Sequence, residues 1–411
     1  MATIVISSTG THGDYLPYIA LGQFLKTQGH TVRMAFRQSM HSYVIKADLK
    51  AVTCGTELAI EQAQKNASQW DHFQPSDTSL QSEIERMTLF FKEDFPVIYQ
   101  QLFTACQDAD LFICGLQRQM FGAMLEKKLG LPWVAASVTP AFQCSDLGHS
   151  QTIRDPAWLE LFLPTLKEVF SQLNVEEIDW LNYHHNQKSI LGSSSYFSTP
   201  TNENIHYQQT GFWFYEDPTW RNWQPNEALR QFVETDPKPL FLTFSSIPVV
   251  DPRHVLETHI RAAQKLGRGL IVQRGWANFN ESLIPEDIDR RSVMFVDFMP
   301  QDWLLSNVAA IIHHGGVGTI ARALRHDCPM LVEPLGNDQF FNGKQILSLK
   351  IGAAMHPHRI TADGLAHVLQ TKVLTDECKQ NVQAIGAKIL KENGLETASN
   401  LIESWLLTRI C

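Results

Sequence analysis

Short apolar runs and longer stretches with helical periodicity alternate along both halves of the chain. Residues 4–6 form an apolar run of strand length, Ile19, Phe24 and Leu25 follow at helical spacing, and a second apolar run occupies 31–36. A strand, a helix and a strand in this order are typical of a βαβ unit in a parallel sheet. The same alternation returns later, with strands predicted at 239–244, 270–272, 293–296, 309–312 and 330–332. The pattern therefore predicts an α/β protein with two doubly wound sheets.

A segment without periodicity separates the two alternating regions. Residues 211–238 contain three tryptophans and three prolines, and sequence of this kind favours a linker. We therefore expect two domains that face each other across a cleft. The expected divisions are an N-terminal domain at 1–210, a linker at 211–238, a C-terminal domain at 239–392 and a last helix at 393–411 that returns to the N-terminal domain.

Composition and charge argue against several classes of protein. Apolar residues make up 44% of the chain and charged residues 19%, and the formal net charge of −9 comes without a basic stripe, so nucleic-acid binding is not expected. The seven cysteines are scattered without a CxxC pair, which favours a reducing compartment over a disulfide framework or a zinc site. No signal peptide and no membrane-spanning stretch is recognised, so we expect a cytoplasmic protein, while peripheral contact with a membrane stays open.

The turn at 313–319, between a predicted strand and a predicted helix, carries the first chemical signal. It contains three glycines, with His314 and Thr319 beside them. Glycines let a phosphate approach the backbone, and a helix that starts here presents N–H groups and the positive end of its dipole. The pattern predicts a diphosphate site, although tight packing of a strand on a helix produces similar turns.

A second loop supplies different groups. It follows the predicted strand at 330–332 and contains Asp338 and Gln339. In a parallel sheet both loops open at the carboxyl ends of their strands, where ligands bind. A carboxylate and an amide suit the hydroxyl groups of a sugar, so the two loops together predict a nucleotide-sugar site. Loop caps and turns are the alternative use of both side chains.

The C-terminal motifs resemble the donor-binding signature of GT-B nucleotide-sugar glycosyltransferases. The segments that carry this resemblance are 299–301, 313–319, 328–329, 334 and 338–339. Residues 244–248, 251–252 and 274–276 look most like the sterol 3-beta-glucosyltransferase branch. The resemblance covers the C-terminal half well and, in the N-terminal half, mainly residues 1–40.

This resemblance implies a GT-B architecture of two Rossmann-like domains, the N-terminal one binding an acceptor and the C-terminal one binding a nucleotide sugar. It implies donor-binding roles for Ser246, Arg274, Trp276, Phe298, Met299, Gln301, His314, Gly316, Val317, Gly318, Thr319, Asp338 and Gln339. A surface ion pair is the alternative for Arg274.

The chain departs from the family's pattern at several positions. Ser245 stands where relatives have glycine, and Phe298 stands where plant relatives stack a tryptophan on the base. Arg322 occupies the position of a ribose-binding glutamate in plant relatives, and Cys114 and Gly115 lie where those relatives carry an aspartate. These departures leave ribose recognition and the proton relay open.

The loop at 8–14 holds the candidates for a catalytic base. An inverting transfer needs a carboxylate or an imidazole to accept the proton of the attacking hydroxyl, and Asp14 and His12 are both available. A helix cap just before Pro17 is the alternative for Asp14. Segment 13–18 resembles the family's G-D-V-x-P segment, which implies that Asp14 is the base. His12 is then a neighbour of the diphosphate or a second candidate, so the choice between them stays open.

Two regions of the N-terminal half are candidates for acceptor binding. Residues 55–79 form a long polar loop, which indicates either part of an acceptor mouth or an insertion without such a role. Aromatic and aliphatic residues on the helices predicted after 82 and 158 form either ordinary core packing or the lining of a large apolar pocket.

Together these patterns predict an inverting enzyme that moves a hexose, with glucose favoured, from a UDP-sugar to a hydroxyl of a lipophilic small molecule such as a sterol, a terpenoid or a polyketide. No DxD-like motif occurs at a suitable loop, so neither a metal nor a cofactor is expected, and the UDP-sugar is a co-substrate. The alternatives are a nucleotide-sugar epimerase or hydrolase of the same architecture and a non-catalytic protein that binds nucleotide sugar or lipid. The acceptor, the sugar, the choice between UDP and dTDP and the oligomeric state do not follow from the sequence.

Overall fold

The structure, a computed structural model, describes residues 1–57, 77–141, 160–176, 178–179, 187–199, 207–336 and 338–408. These residues form two compact units. Unit 1 contains residues 1–57, the described part of 77–219, and 392–408, and the described part of unit 2 lies within 220–391. Within the described residues no helix is both long and apolar enough to span a membrane.

Unit 1 is built on a seven-stranded sheet in which all neighbouring strands are parallel. Its strands are β1 (Thr3–Ser7), β2 (Thr31–Phe36), β3 (Lys50–Thr53), β4 (Leu111–Cys114), β5 (Trp133–Ser137), β6 (Ser189–Leu191) and β7 (Tyr207–Gln209). Its helices before residue 220 are α1 (His12–Thr27), α2 (His41–Lys46), α3 (Asp77–Lys92), α4 (Asp94–Cys106), α5 (Gln119–Leu129) and α6 (Leu163–Leu173). The strand order β3-β2-β1-β4-β5-β6-β7 reverses between β1 and β4.

Helix α1 begins at His12 because an acidic side chain closes its first turn. Thr11 is the N-cap, and its N–H donates a hydrogen bond to Asp14 Oδ2 at 2.7 Å, while the Asp14 N–H donates to the Thr11 carbonyl at 2.9 Å. Pro17 therefore lies inside the helix, and the prediction that the helix begins at Pro17 is wrong. The Thr-x-x-Asp pattern of a capping box outweighs the preference of proline for the first helical position.

Unit 2 is built on a six-stranded sheet whose neighbouring strands are again parallel. Its strands are β8 (Leu240–Thr243), β9 (Leu270–Gln273), β10 (Val293–Val296), β11 (Ala310–His313), β12 (Met330–Val332) and β13 (Gly352–Ala354). Its helices are α7 (Glu227–Val233), α8 (Pro252–Lys265), α9 (Gln301–Leu305), α10 (Val317–Arg325), α11 (Gln339–Ser348), α12 (Ala362–Val368) and α13 (Asp376–Ile389). The strand order β10-β9-β8-β11-β12-β13 reverses between β8 and β11.

One face of the unit 1 sheet is covered by the first and last helices of the chain. The last helix, α14 (Gly394–Leu407), packs on α1, and Ile19, Leu25, Ala398 and Ile402 are all buried in the same apolar core. Residues from both ends of the chain therefore share one core within unit 1.

An aromatic core covers the other face of the unit 1 sheet. The Phe91, Phe95, Phe121 and Phe162 side chains are each at most 2% exposed, and the rings of Phe95 and Phe121 stack with centroids 4.4 Å apart. These buried rings pack against one another, as the core-packing alternative expects. Of the predicted acceptor loop at 55–79, residues 58–76 lie outside the described residues, and residues 77–79 belong to α3.

The two parallel sheets confirm the prediction of two doubly wound α/β domains. Strands β6, β7 and β13 were not predicted: each has 3 residues, and none of them consists wholly of large apolar residues, as the equally short β12 does. The division between the units falls at residues 219 and 220, inside the segment 211–238, which also contains α7.

Candidate functional site

The carboxyl ends of β8 and β11 lie side by side where the unit 2 sheet reverses. The two strands pair in parallel, with Thr243 opposite His313. The chain continues from β8 towards one edge of the sheet and from β11 towards the other, so the loops after these strands leave a crevice between them. Doubly wound sheets bind their ligands at this position.

Two glycines of the 313–319 turn are required by the fold. Gly315 has a φ of +94°, and a Cβ there would lie 2.6 Å from Val332 Cγ1. A Cβ on Gly316 would lie 2.5 Å from His314 Nε2. Packing therefore excludes larger residues at both positions without rearrangement of the turn.

Helix α10 presents backbone donors at the end of this turn. Its N-cap, Gly316, has no side chain, and its first turn has no acidic residue. The N–H groups of Val317 and Gly318 donate no hydrogen bond to any residue that the structure describes, whereas the Thr319 N–H donates to the Gly316 carbonyl at 3.1 Å. The N-terminus of α10 is therefore suited to an anion.

Gly318 has no structural reason to be glycine. No described atom lies within 4 Å of the position that its Cβ would occupy. A glycine inside a helix costs about 1 kcal/mol relative to alanine. A ligand that closely approaches this backbone would account for the residue.

Two neutral histidines accompany the turn. Burial lowers the pKa of His314 to about 4, and burial together with His314 holds the pKa of His313 well below its usual value. The Gly315 N–H donates to His313 Nδ1 at 3.2 Å, so His313 carries its proton on Nε2. His314 Nδ1 has no hydrogen-bond partner among the described residues. A neutral imidazole protonated at that nitrogen can donate to a phosphate oxygen.

Gln339 holds the loop that follows β12. Its Oε1 accepts hydrogen bonds from the Leu335 N–H at 2.7 Å and the Gly336 N–H at 3.1 Å. The side-chain oxygen therefore has the loop-capping role that the sequence left as an alternative, and Nε2 is the group that remains for a sugar hydroxyl. The assignment of Gln339 to the donor stays a prediction.

Asn342 connects the two loops of the candidate site. Its Nδ2 donates to the Gly315 carbonyl at 2.9 Å and approaches Asp338 Oδ2 at 3.3 Å. The site residues assigned from the sequence did not include Asn342. Its spacing four residues after Asp338, on one helix face, is the signal that could have identified it.

Ser245 adopts the backbone conformation that glycine favours. Its φ is +51°, its N–H donates to Thr243 Oγ1 at 3.0 Å and its carbonyl accepts from the Trp276 N–H at 2.9 Å. A Cβ on Gly275 would lie 2.5 Å from the Ser245 carbonyl oxygen, so the loops after β8 and β9 touch here. The Ser246 side chain is buried beside them.

Arg274 is engaged by carboxylates. Its guanidinium forms two hydrogen bonds with Glu281, at 2.7 and 3.0 Å, and lies 5.0 Å from the centre of the Phe295 ring. The hydrogen bonds to Glu281 raise the pKa of Arg274. The structure therefore gives Arg274 the ion pair that the sequence left as its alternative role.

An aromatic pair lies beyond the end of β10. Phe298 is 46% exposed, and its ring centroid lies 5.4 Å from that of Trp220. Met299 is buried, and Gln301 starts α9. An exposed ring at the carboxyl end of a strand suits a nucleobase, as the sequence predicts for Phe298.

Arg322 belongs to an internal ion-pair network. Its Nη1 lies 2.6 Å from Asp302 Oδ1, and His326 Nε2 lies 3.0 Å from the same oxygen. Burial raises the pKa of Asp302, but His326 and Arg322 together bring it well below its usual range. Asp302 is therefore the ion-pair partner of Arg322.

A buried ion pair between α8 and the residue that follows β12 was not predicted from the sequence. His259 Nε2 lies 2.8 Å from Glu333 Oε1, and His259 Nδ1 donates to the Val255 carbonyl at 2.7 Å. Burial lowers the pKa of His259, but the Glu333 carboxylate more than compensates, so the pKa is raised. Helix α8 also contains His254, and nothing in the sequence of an amphipathic helix indicates which histidine forms such a pair.

The 8–14 turn lies at the corresponding reversal of the unit 1 sheet. Gly10 has a φ of +137°, and a Cβ there would lie 2.1 Å from Asp14 Oδ2. The Asp14 carboxylate therefore folds back over Gly10 and accepts the Thr11 N–H. Asp14 closes the first turn of α1, whose N-cap is Thr11 and not Asp14 itself. The assignment of Asp14 as a base stays a prediction.

His12 is the neighbour of Asp14 in this turn. Its Nε2 lies 3.2 Å from the Tyr43 hydroxyl, and the two rings meet edge to face with centroids 5.3 Å apart. Burial lowers the pKa of His12, so the imidazole is neutral near pH 7. Cys114, at the end of β4, is fully buried.

Side chains that could bind a metal ion do not converge within the described residues. Within the parts of the chain that the structure describes, no group of three or more His, Cys, Asp or Glu side chains is arranged to hold a metal ion.

A protein-family model matches part of the chain. Residues 281–401 match the family model described as the erythromycin biosynthesis protein CIII-like C-terminal domain. This segment contains the 313–319 turn and the loop after β12.

Curated relatives are similar along nearly the whole chain. A sterol 3-beta-glucosyltransferase of Arabidopsis thaliana is 25% identical, and the alignment covers 96% of this chain and 66% of the relative. A sterol 3-beta-glucosyltransferase of Kluyveromyces lactis is 23% identical, with 97% of this chain and 34% of the relative covered. The chain thus spans between about a third and two thirds of the length of these relatives.

Solved structures share the fold. The calicheamicin glycosyltransferase CalG4 superposes with a TM-score of 0.73 at 15% identity, with 100% of this chain and 99% of that chain covered. The glycosyltransferase VinC in complex with dTDP superposes with a TM-score of 0.70 at 17% identity, and the superposition covers 99% of this chain and 100% of VinC. At these identities the likeness shows the GT-B fold.

Proposed function

Because the chain belongs to the GT-B glycosyltransferase family, we propose that it transfers a hexose, with glucose favoured, from a UDP-sugar to a hydroxyl of a lipophilic small molecule. The observation that supports this most directly is the first turn of α10. This turn has N–H groups without a hydrogen-bond partner among the described residues, at Val317 and Gly318, and no described atom lies near the Cβ position of Gly318. It is accompanied by the neutral imidazole of His314. A leaving diphosphate needs such donors, because negative charge develops on it as the glycosidic bond breaks.

The donor is held by two loops of unit 2. His314, Thr319 and the N–H groups at the start of α10 bind the diphosphate, with Gly316, Val317 and Gly318 providing the backbone approach. Asp338 and Gln339 bind sugar hydroxyls, and Asn342 holds both loops through Gly315 and Asp338. The helix dipole takes the place of a metal ion, so full activity in a chelator is expected.

The nucleoside contacts the end of β10. The exposed Phe298 ring, beside Trp220, stacks on the base, and Met299 and Gln301 complete this side. VinC was solved with dTDP, so dTDP-sugars belong in any test of donor choice beside UDP-sugars.

The transfer proceeds with inversion. Asp14 accepts the proton of the acceptor hydroxyl while the hydroxyl oxygen forms a bond to the anomeric carbon and the diphosphate leaves. His12 is the second candidate for this step. The Thr11 N–H donates to Asp14, which orients the carboxylate and makes it less basic.

The acceptor is a lipophilic alcohol. The curated relatives are sterol 3-beta-glucosyltransferases, and CalG4 is a calicheamicin glycosyltransferase. These two groups support sterols and natural-product alcohols as the first acceptors to examine.

A mass-spectrometric screen tests the proposal. UDP- and dTDP-sugars are incubated with a mixed panel of hydrophobic alcohols, with the His314→Ala variant as control. We expect a hexosylated product from the wild type and at least a hundredfold less from the variant. Full-rate consumption of UDP-glucose without acceptor would instead indicate a hydrolase or an epimerase. Donor binding without turnover across the panel would indicate a non-catalytic protein.

A further inference from the structure

A buried arginine in unit 1 lacks a counter-ion. Arg118 follows β4, and only 3% of its surface is exposed. Its guanidinium forms no hydrogen bond or ion pair with the residues that the structure describes, and its Nε is buried without a partner. Its neighbour is the Phe121 ring, whose centre lies 5.6 Å from Arg118 Cζ. A charge removed from water without a partner is costly, and proteins rarely retain one without a reason.

A second arginine approaches the same place. A Cβ on Gly55 would stand 3.1 Å from Arg118 Nη2 and 3.9 Å from Arg37 Cγ, so both side chains flank this glycine. Arg37 donates to Thr9 Oγ1 at 3.1 Å and lies 5.9 Å from the centre of the Tyr15 ring. The two side chains therefore lie close enough for their charges to act on each other.

The nearby carboxylates have other partners. Glu57 acts on Arg37 from beyond ion-pair distance and accepts a hydrogen bond from the Ser39 N–H at 3.0 Å. Asp14 accepts from the Thr11 N–H. Within the described residues, neither carboxylate neutralises Arg118.

A hydroxyl donor completes the cluster. Tyr15 Oη is buried and forms no hydrogen bond of standard geometry with a described residue, although the Thr9 side chain is near enough to lower the pKa of the phenol. Burial raises the pKa of this phenol, while the Arg37 and Arg118 guanidinium groups oppose the increase, which shows that both cations act on it. The cluster lies at the carboxyl ends of β1 to β4, beside the turn that carries Asp14, where a doubly wound sheet receives its ligand.

We propose that Arg118 and Arg37 bind an anionic group of the acceptor, such as a carboxylate. This rests on the proposed function, since it concerns the substrate that Asp14 deprotonates. Guanidinium groups bind carboxylates with paired, charge-assisted hydrogen bonds, and Tyr15 Oη adds a third donor. Among lipophilic alcohols the preferred acceptor is then an amphiphile that also carries a negative charge, whereas a neutral sterol would leave both guanidinium groups without a counter-ion.

Binding measurements on matched ligands test this inference. The probes are a long-chain hydroxy fatty acid and its methyl ester, which differ in the charge, and calorimetry gives Kd for each. We expect the wild type to bind the acid at least tenfold more tightly than the ester, and Arg118→Met to lose about ten- to a hundredfold for the acid alone. Equal losses for acid and ester, or no preference in the wild type, would overturn the proposal.

Arg33→Gln is the matched control. Arg33 lies on β2, which ends next to Arg37, but its guanidinium pairs with Asp108 at 2.5 and 2.6 Å. We expect this variant to keep the acid preference and to melt at a lower temperature. Arg118→Met should melt no lower than the wild type when no ligand is present, because it removes an unpaired charge. A structural role for Arg118 would give the opposite order of melting temperatures.

Two further arms separate the possible sources of the anion. UDP should bind Arg118→Met and wild type equally, and a tenfold loss of UDP affinity would assign the arginines to the donor and overturn the proposal. Inorganic sulfate that competes with the ester as strongly as with the acid would also contradict an acceptor-borne charge. If Arg118→Met does not fold, Arg37→Gln, which retains an amide donor towards Thr9, should show the same selective loss for the acid.

Acid binding that depends on Arg118, together with no transfer to any alcohol, would uphold the anion site and overturn the proposed function instead. The two conclusions can therefore fail separately.

Discussion

The two units place a glycine-containing turn and a helix N-terminus at the same point of their sheets, but they use them differently. In unit 1 the first turn of α1 contains Asp14, whose carboxylate lies over Gly10 and accepts the Thr11 N–H. In unit 2 the first turn of α10 contains no acidic residue, and Gly318 faces open space. One helix N-terminus is occupied by the protein's own carboxylate, and the other is open to an anion from outside.

This difference assigns separate chemistry to the units. A helix N-terminus that already binds a carboxylate has little affinity for a phosphate, whereas an unoccupied one attracts it. A carboxylate fixed at a ligand-binding edge can accept a proton. We therefore propose a donor site in unit 2 and a base in unit 1 on the same fold.

The largest effect is expected from Asp14→Asn. The amide oxygen can still accept the Thr11 N–H, so the helix cap is kept, but an amide cannot accept a proton from the acceptor. Turnover should fall by about 10²- to 10⁴-fold, with Kd for UDP unchanged in calorimetry. Asp14→Ala is the control for the cap and should in addition lower the free energy of unfolding by about 1 kcal/mol. Unchanged turnover in Asp14→Asn would contradict the assignment of Asp14 as the catalytic base.

The buried His314 of the unit 2 turn should make the free energy of unfolding depend on pH in the acid range. His314 has a folded pKa of about 4 against an ordinary value of 6.5, so between these values the unfolded chain binds a proton that the folded chain does not. The free energy of unfolding should therefore decrease as pH falls below 6.5, by up to about 3 kcal/mol near pH 4 from this group. His314→Gln should flatten that decrease in denaturant titrations. His259, whose pKa is raised, contributes a free energy of unfolding that decreases as pH rises above 6.5. This contribution is the same in the wild type and in His314→Gln, so it cancels when the two are compared. Identical slopes for both proteins would show that His314 is not held neutral by burial.

A matched pair of glycines sharpens the comparison. Gly318 and Gly13 are each the second residue of their helix, and neither has a described atom within 4 Å of its Cβ position. Gly318→Ala should weaken UDP binding by about ten- to a hundredfold, because the methyl group occupies the approach to the N–H groups. Gly13→Ala should leave Kd for UDP unchanged. Equal UDP affinities in both variants would show that α10 does not bind the diphosphate.

The smallest effect is expected at Ser245. Its φ of +51° lies in the left-handed region, where a non-glycine residue is strained by about 1 kcal/mol. Ser245→Gly should raise the melting temperature by about 2–4 °C. The Gly130→Ala variant has the reverse change, at a φ of +64°, and should lower it. A lower melting temperature for Ser245→Gly would mean that the serine side chain compensates for its strain.

The sequence predicts the unit 2 site better than the unit 1 site, for physical reasons. A buried strand followed by glycines and an amphipathic helix is a local signal, and the structure places the 313–319 turn as that signal indicates. The start of α1 was misjudged because proline rules were weighed above the Thr-x-x-Asp pattern. The unpaired Arg118 has no local signal at all, since a charged residue is expected at the surface and its burial depends on residues distant in the sequence, such as Gly55.

The most direct test of the account is a crystal structure of the protein with bound UDP. The account predicts diphosphate oxygens within about 3 Å of the Gly318 N–H and of a ring nitrogen of His314. A diphosphate bound away from the first turn of α10, with these groups still solvated, would contradict it.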